Sequence, residues 1–152
     1  MKFNTSERKL LRELQRDGNQ PLARIAKNCA MAQSTVWRKI QEFEARGTIL
    51  RRVALLSPAQ LDCKFTVLAA ITLTDHSEKV VSGFVELARR HPEIVECLST
   101  SGVSDYRLKI RIGDVEAYEA FLTHVLLRSP FVKEVHSSFV LKEIKSTTDL
   151  PI

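Results

Sequence analysis

No apolar run in this chain approaches the roughly 20 residues that a membrane-spanning helix needs. The opening stretch, MKFNTSERKLL, lacks the apolar centre of a secretory signal. Cysteine is scarce. Cys29, Cys63 and Cys97 lie far apart with no C-x-x-C pair, which argues against a disulfide framework and against a zinc site. These absences point to a cytoplasmic protein with reduced thiols. Signatures of catalysis are missing too: there is no G-x-S-x-G, no phosphate loop, no H-E-x-x-H and no paired carboxylate. His76, His91, His124 and His136 follow no metal-ligand spacing and sit near element ends, where a surface role is expected. The expectation is a protein that is not an enzyme and uses no metal or cofactor.

What the chain does have is a globular share of apolar residues, 44%, and an uneven charge. Up to Leu56 there are 12 Lys/Arg against 5 Asp/Glu, a net +7; from Ser57 onward there are 11 against 13, a net −2. A basic front joined to a mildly acidic back reads as a polyanion-binding module attached to something else.

The basic half patterns as three helices. Ser6 is the expected cap of the first, whose Leu10, Leu11 and Leu14 share a side, and Asp17-Gly18-Asn19 stops it. Pro21 suits the first turn of the second, where Leu22, Ile25, Ala26 and Cys29 recur at helical spacing. QSTVWRKIQEFEARG forms the third around Val36, Ile40 and Phe43, with Gly47 at its C-terminal end. TILRRVALL, residues 48–56, is rich in strand formers.

The second half changes rhythm. FTVLAAITL (Phe65–Leu73), Ile94–Thr100, Tyr106–Ile112 and Val132–Ile144 read as strands. Ser77–Arg90 and a segment from Asp114 to about Leu127 read as helices. The order β-α-β-β-α-β is the split ferredoxin-like arrangement. FTVLAAITL is apolar at both parities, so burial of both its faces, through dimerisation on the open side of the sheet, is expected. Cys97, inside a strand, reads as a buried small hydrophobe, with thiol sensing as the alternative.

Two short helices, a tight turn and a following strand describe a winged helix-turn-helix. At about 100° per residue the third helix turns Ser34, Arg38 and Gln41 away from its apolar stripe. Arginine forks onto guanine, glutamine pairs with adenine, and Ser34 suits a phosphate or a base edge. Trp37, on the flank, is open to packing or to DNA. The candidate DNA contacts are Gln33, Ser34, Thr35, Trp37, Arg38, Lys39 and Gln41, with Arg51 and Arg52 as phosphate ligands beyond the helix.

The stretch SGVSDYRLKI, from Ser101, joins two predicted strands. Gly102 allows close backbone approach. The carboxylate of Asp105 suits an α-ammonium group, backbone amides near Gly102 suit an α-carboxylate, and Ser137 and Ser138 on the last strand offer further polar groups from the same or a neighbouring subunit. The same residues also fit a plain hairpin turn in which Asp105 bonds its own backbone.

The chain resembles the leucine-responsive regulator/AsnC (Lrp/AsnC) family of bacterial and archaeal transcription factors over nearly its whole length. SERKLLRELQRDGNQPLARIAKNCAMAQSTVWRKIQEFEARGTI resembles the family's helix-turn-helix, and ALLSPAQLDCKFTVLAAITL its hinge strand and entry to the sensor domain. TSGVSDYRLKI matches its G-x-x-D-Y loop, and VKEVHSSFVLKEIK its final strand. The resemblance implies an α+β chain: a winged helix-turn-helix over 1–56, a linker over 57–64, and a ferredoxin-like (RAM-type) domain over 65–152. It implies a homodimer, often assembled to an octamer, that regulates transcription in response to an amino acid or related metabolite. Effector contacts are then expected from Thr100, Gly102, Val103, Ser104, Asp105 and Tyr106, with Ser137 and Ser138. Three departures stand out: Ala30 replaces a frequent turn glycine, Ala32 replaces the serine that caps the recognition helix, and Val103-Ser104 replaces a commoner acidic or aromatic pair. Two rivals stay open, an architectural DNA-binder without a ligand and a small-molecule enzyme on the ferredoxin-like domain.

Overall fold

The structure, a computed structural model, describes residues 3–152. Contacts group the chain into two compact units, one of residues up to Leu55 together with Lys145–Ile152, the other Leu56–Ile144.

The first unit is helical: α1 (Thr5–Arg16), α2 (Leu22–Cys29) and α3 (Gln33–Ala45). The cap of α1 is Asn4, two residues ahead of the expected Ser6. Asn4 stands three residues before Glu7, so each side chain bonds the other's backbone N–H, at 2.9 and 3.0 Å, whereas Ser6 already lies within the first turn. Pro21 is the residue before α2. The turn after α2 places Ala30 in the left-handed region, φ 53°, a conformation that costs a residue with a Cβ about 1–2 kcal/mol. At Ala32 no side chain caps α3. Gly47 closes α3 with φ 69°, and the amides of Gly47 and Thr48 return to Glu44 and Phe43. Leu10, Leu11, Leu14, Ile25, Ala26, Cys29, Val36, Ile40 and Phe43 form the core, three from each helix. Ile152 joins its edge, and the side-chain amide of Gln15 pairs both ways with the backbone of Leu150, at 2.9 and 3.1 Å. Residues 145–152, expected with the second unit, therefore dock on α1.

No strand forms over residues 48–56, contrary to expectation. Leu50, Val53, Leu55 and Leu56 are all exposed. The segment has strand-forming residues, but among the described residues no other segment bonds to it as a ladder, and β propensity without a partner builds nothing.

The second unit runs from a 3₁₀ turn (Pro58–Leu61) into β1 (Phe65–Leu73), α4 (Glu78–Arg90), β2 (Ile94–Ser99), β3 (Tyr106–Ile112), α5 (Val115–Phe121), a π-helical turn (Leu122–Leu126) and β4 (Val132–Phe139). The sheet order is β2-β3-β1-β4, every pair antiparallel. Ser77 and Asp114 cap α4 and α5. A Cβ at Gly83 would overlap the Phe131 ring, so α4 approaches that ring only because residue 83 has no side chain. The last strand stops at Phe139 rather than Ile144. Phe139 already pairs with Val67, and β1 offers only two more residues to bond.

Alternate residues of β1 and β3 (Val67, Ala69, Ile71, Leu108 and Ile110) pack with Phe84, Tyr118, Phe121 and Leu126 beneath the helices. On the reverse face Leu68 is 42% exposed, with Lys109 and Ser138 opposite it in register. Arg107, Lys109 and Arg111 alternate along that face of β3, and Glu143 lies 3.5 and 3.4 Å from the last two. The expected second apolar face is thus narrow, with basic residues beside it. Cys97 is exposed, a correction with a simple cause: β2 is an edge strand whose residues after Ile94 are all exposed.

Candidate DNA interface and effector loop

Burial of Val36, Ile40 and Phe43 orients α3. Gln33, Ser34, Trp37, Arg38 and Gln41 are exposed, Trp37 to 59%, while Thr35 is half-buried. Trp37 is therefore not a packing residue within the chain. Arg38 pairs with Glu42 at 2.5 Å, and the Gln41 amide donates to Glu44 at 3.2 Å. Arg52 reaches the same Glu44 at 2.9 Å, and Arg51 is exposed. Exposed pairs of this kind contribute only ~0–1 kcal/mol, so a polyanion could draw Arg38 and Arg52 away at little cost. Glu42 and Glu44 were missed in the sequence, although the i,i+4 spacing of Arg38 and Glu42 is a readable signal.

Lys39 is different. Its Nζ lies 2.7 Å from Glu7, with both side chains more than four-fifths shielded. That bond, with help from the Asn4 amide, holds the Glu7 carboxyl below its usual range. Lys39 thus ties α3 to the capping box of α1, which sets it apart from the free cations expected to contact phosphate.

In the second unit, residues 100–105 form one compact loop that leads into β3 at Tyr106. Gly102 has φ 140°, a region closed to most side chains. The Thr100 hydroxyl donates to the Ser104 carbonyl at 2.8 Å, Ser104 is buried, and Val103 projects fully into solvent. The backbone of Asp105 is stitched on both sides: its N–H donates to Ile71 and its carbonyl accepts from Thr100, each at 2.9 Å. Its carboxylate does not bond its own backbone. Oδ2 accepts from the Leu73 N–H at 2.8 Å, and Oδ1 lies 2.7 Å from His76 Nε2. The Leu73 amide first, and His76 second, hold the Asp105 carboxyl below its ordinary range; the same bond raises the His76 imidazole.

Ser137 and Ser138 are not brought to this loop. They directly precede Phe139 on β4, with β1 lying between β4 and β3. Successive strand residues point to opposite faces, so one protomer cannot turn both into one pocket. Ser137 faces the helices and shares a 2.6 Å hydrogen bond with the buried Tyr118 hydroxyl; Ser138 is exposed. His76, in contrast, was not a predicted site residue. The antiparallel register Ile71↔Tyr106 sets the end of β1 beside the start of β3, which is what brings residues 76 and 105 together.

Comparison with known proteins gives a consistent result. The Lrp/AsnC ligand binding domain model matches residues 66–150, and a winged helix-turn-helix DNA-binding model matches residues 3–49. The leucine-responsive regulatory protein of Escherichia coli (strain K12) is 33% identical over 146 residues, covering 96% of this chain and 89% of that protein. An AsnC family transcriptional regulator from Agrobacterium tumefaciens has the same fold with a TM-score of 0.93 at 37% identity, over 98% and 97% of the two chains. A transcriptional regulator from Neisseria meningitidis, solved in complex with L-methionine, aligns with a TM-score of 0.95 at 29% identity, over 99% and 97%.

Proposed function

This chain belongs to the Lrp/AsnC family of transcriptional regulators, and from that membership we propose that it reads double-stranded DNA through α3 and answers to an amino acid felt at the 100–106 loop. The observation that carries the DNA reading is the exposed side of α3, where Ser34, Arg38 and Gln41 stand opposite Val36, Ile40 and Phe43, with Trp37 exposed on the flank. Arg38 and Gln41 read base edges, Gln33, Ser34 and Thr35 sit at the helix entry, and Arg51 and Arg52 hold phosphate. The working protein is a cytoplasmic homodimer joined through the open sheet face and assembled further to an octamer. Residues 1–56, with 145–152 packed on α1, bind DNA, 57–64 link, and 65–144 sense and assemble; no catalytic step and no cofactor enter. The effector is an amino acid, as in the methionine complex of the Neisseria relative.

The test uses DNA selected by the protein from a random-sequence pool. Arg38→Ala weakens binding to that DNA by about 1–3 kcal/mol and leaves oligomer size unchanged. Unaltered affinity in a gel-shift titration removes α3 from the readout.

One observation favours a second reading: both Asp105 oxygens are already occupied from within the chain. An architectural DNA-binder without a ligand would show no thermal stabilisation by any of the twenty amino acids. Stabilisation by one of them decides for the effector.

A further inference from the structure

We infer that His76 is the gate of the effector site: it holds, from within the chain, the Asp105 oxygen that an amino acid's α-ammonium group must take, so binding displaces it. This rests on the reading of the 100–106 loop as an effector site. The two bonds of the Asp105 carboxylate are unequal. Oδ2 is held by the backbone amide of Leu73, the last residue of β1, and Leu73 is buried. Oδ1 is held by His76, a side chain 75% exposed on the loop that follows β1, whereas Asp105 is only 23% exposed. The first partner fixes the carboxylate in place; the second can be exchanged. An ammonium ion and an imidazolium ion brought to the same oxygen repel each other, so the ammonium takes Oδ1 in place of protonated His76.

Displacement carries a proton consequence. An imidazolium makes a charge-assisted bond to the carboxylate and a neutral imidazole a weaker one. When the ammonium takes Oδ1, His76 swings into water and returns to its ordinary titration, so a proton leaves for solvent over the pH range where paired His76 is charged and free His76 is not. Effector affinity therefore climbs as pH rises through that range. The surrounding charges do not reverse this. Asp75, in the same loop, strengthens the hold on protonated His76, with its own carboxylate fixed by the Ser77 amide at 2.7 Å. Thr100–Ser104 carry no charge. The first turn of α4 brings Glu78 and Lys79, of opposite sign, and on β4 Glu134 pairs with His136 at 3.1 Å.

The inference is tested on the full chain by calorimetric titration with amino acids, L-methionine first, from about pH 6 to about pH 8, in buffers of differing ionisation heat. Wild type binds several-fold more tightly at the upper end and releases protons. His76→Gln binds several-fold more tightly than wild type at the lower end, and its affinity is flat with pH. Asp105→Asn loses binding. If wild type binds and Asp105→Asn does not, but His76→Gln keeps both the affinity and the slope of wild type, the gate alone is overturned. If no amino acid binds wild type, the effector reading itself fails and takes the gate with it. A measurement without ligand stands beside these: the NMR titration midpoint of His76 falls in Asp105→Asn, and an unmoved midpoint overturns the pairing.

Discussion

The helical unit and the sheet unit both bury an apolar core, yet they hold their candidate functional groups in different ways. On α3 the groups facing water lie on the same thirteen-residue helix that buries Val36, Ile40 and Phe43, and the partners of Arg38 and Gln41 are within four residues. In the sheet unit the carboxylate of Asp105 is held by Leu73 and His76, 32 and 29 residues away along the chain. A helix carries its exposed face with it wherever it packs. A loop group acquires its chemistry only once strands have paired. The first unit is thus locally determined, the second assembled from a distance, and the same kind of substitution should act differently in each.

The largest effect comes from emptying each core in turn. Phe43→Ala and Phe84→Ala should each cost about 3–5 kcal/mol, because both rings are fully buried. Hydrogen exchange should show protection lost across α1–α3 in the first case and across the sheet in the second. Equal losses in both units for either variant would make them one cooperative body and erase the comparison.

A smaller effect sharpens the local character of the helical unit. Ala32 leaves the first turn of α3 without a side-chain cap, so Ala32→Ser should stabilise this unit by about 1 kcal/mol with no change in the sheet. Denaturant titration followed by Trp37 fluorescence measures it; no gain would mean that the turn positions a serine hydroxyl out of reach of the α3 amides.

The smallest effect is a pH dependence confined to the sheet unit. Asp105 has its carboxyl lowered by the fold, so its contribution is present above the ordinary carboxylate range and is lost as pH falls through its folded value. His76 is raised, so its contribution is complete below its ordinary value of 6.5 and is lost as pH rises through the folded one. Exchange of the Leu73 amide, corrected for intrinsic rate, should be slowest between those limits. His76→Gln should remove the upper edge of that window and leave the lower one, while the helical unit shows neither.

Much of the architecture was legible. The four-residue and three-residue spacing of Val36, Ile40 and Phe43 orients α3 correctly, and Phe65–Leu73 and Tyr106–Ile112 are strands over the residues expected. Misreadings fall where a segment depends on a partner. Residues 48–56 have strand chemistry and no ladder, β4 ends where β1 runs out, and Cys97 is exposed because an edge strand has a neighbour on one side only. Lys39 looks like any outward cation of a basic helix until Glu7, 32 residues earlier, closes on it.

The sequence by itself determined the helix-turn-helix, the βαββαβ order and the basic character of the first unit, because these follow from periodicity and charge, which are short-range properties of the chain; the family was legible through the resemblance of its motifs. Only the tertiary structure decided which polar groups meet. It set Ser137 and Ser138 apart from the 100–106 loop by placing β1 between β4 and β3, docked the chain's end on α1 through Leu150 and Ile152, and set His76 against Asp105. The reason is strand register: pairing Ile71 with Tyr106 brings two loops into contact that no local rule connects.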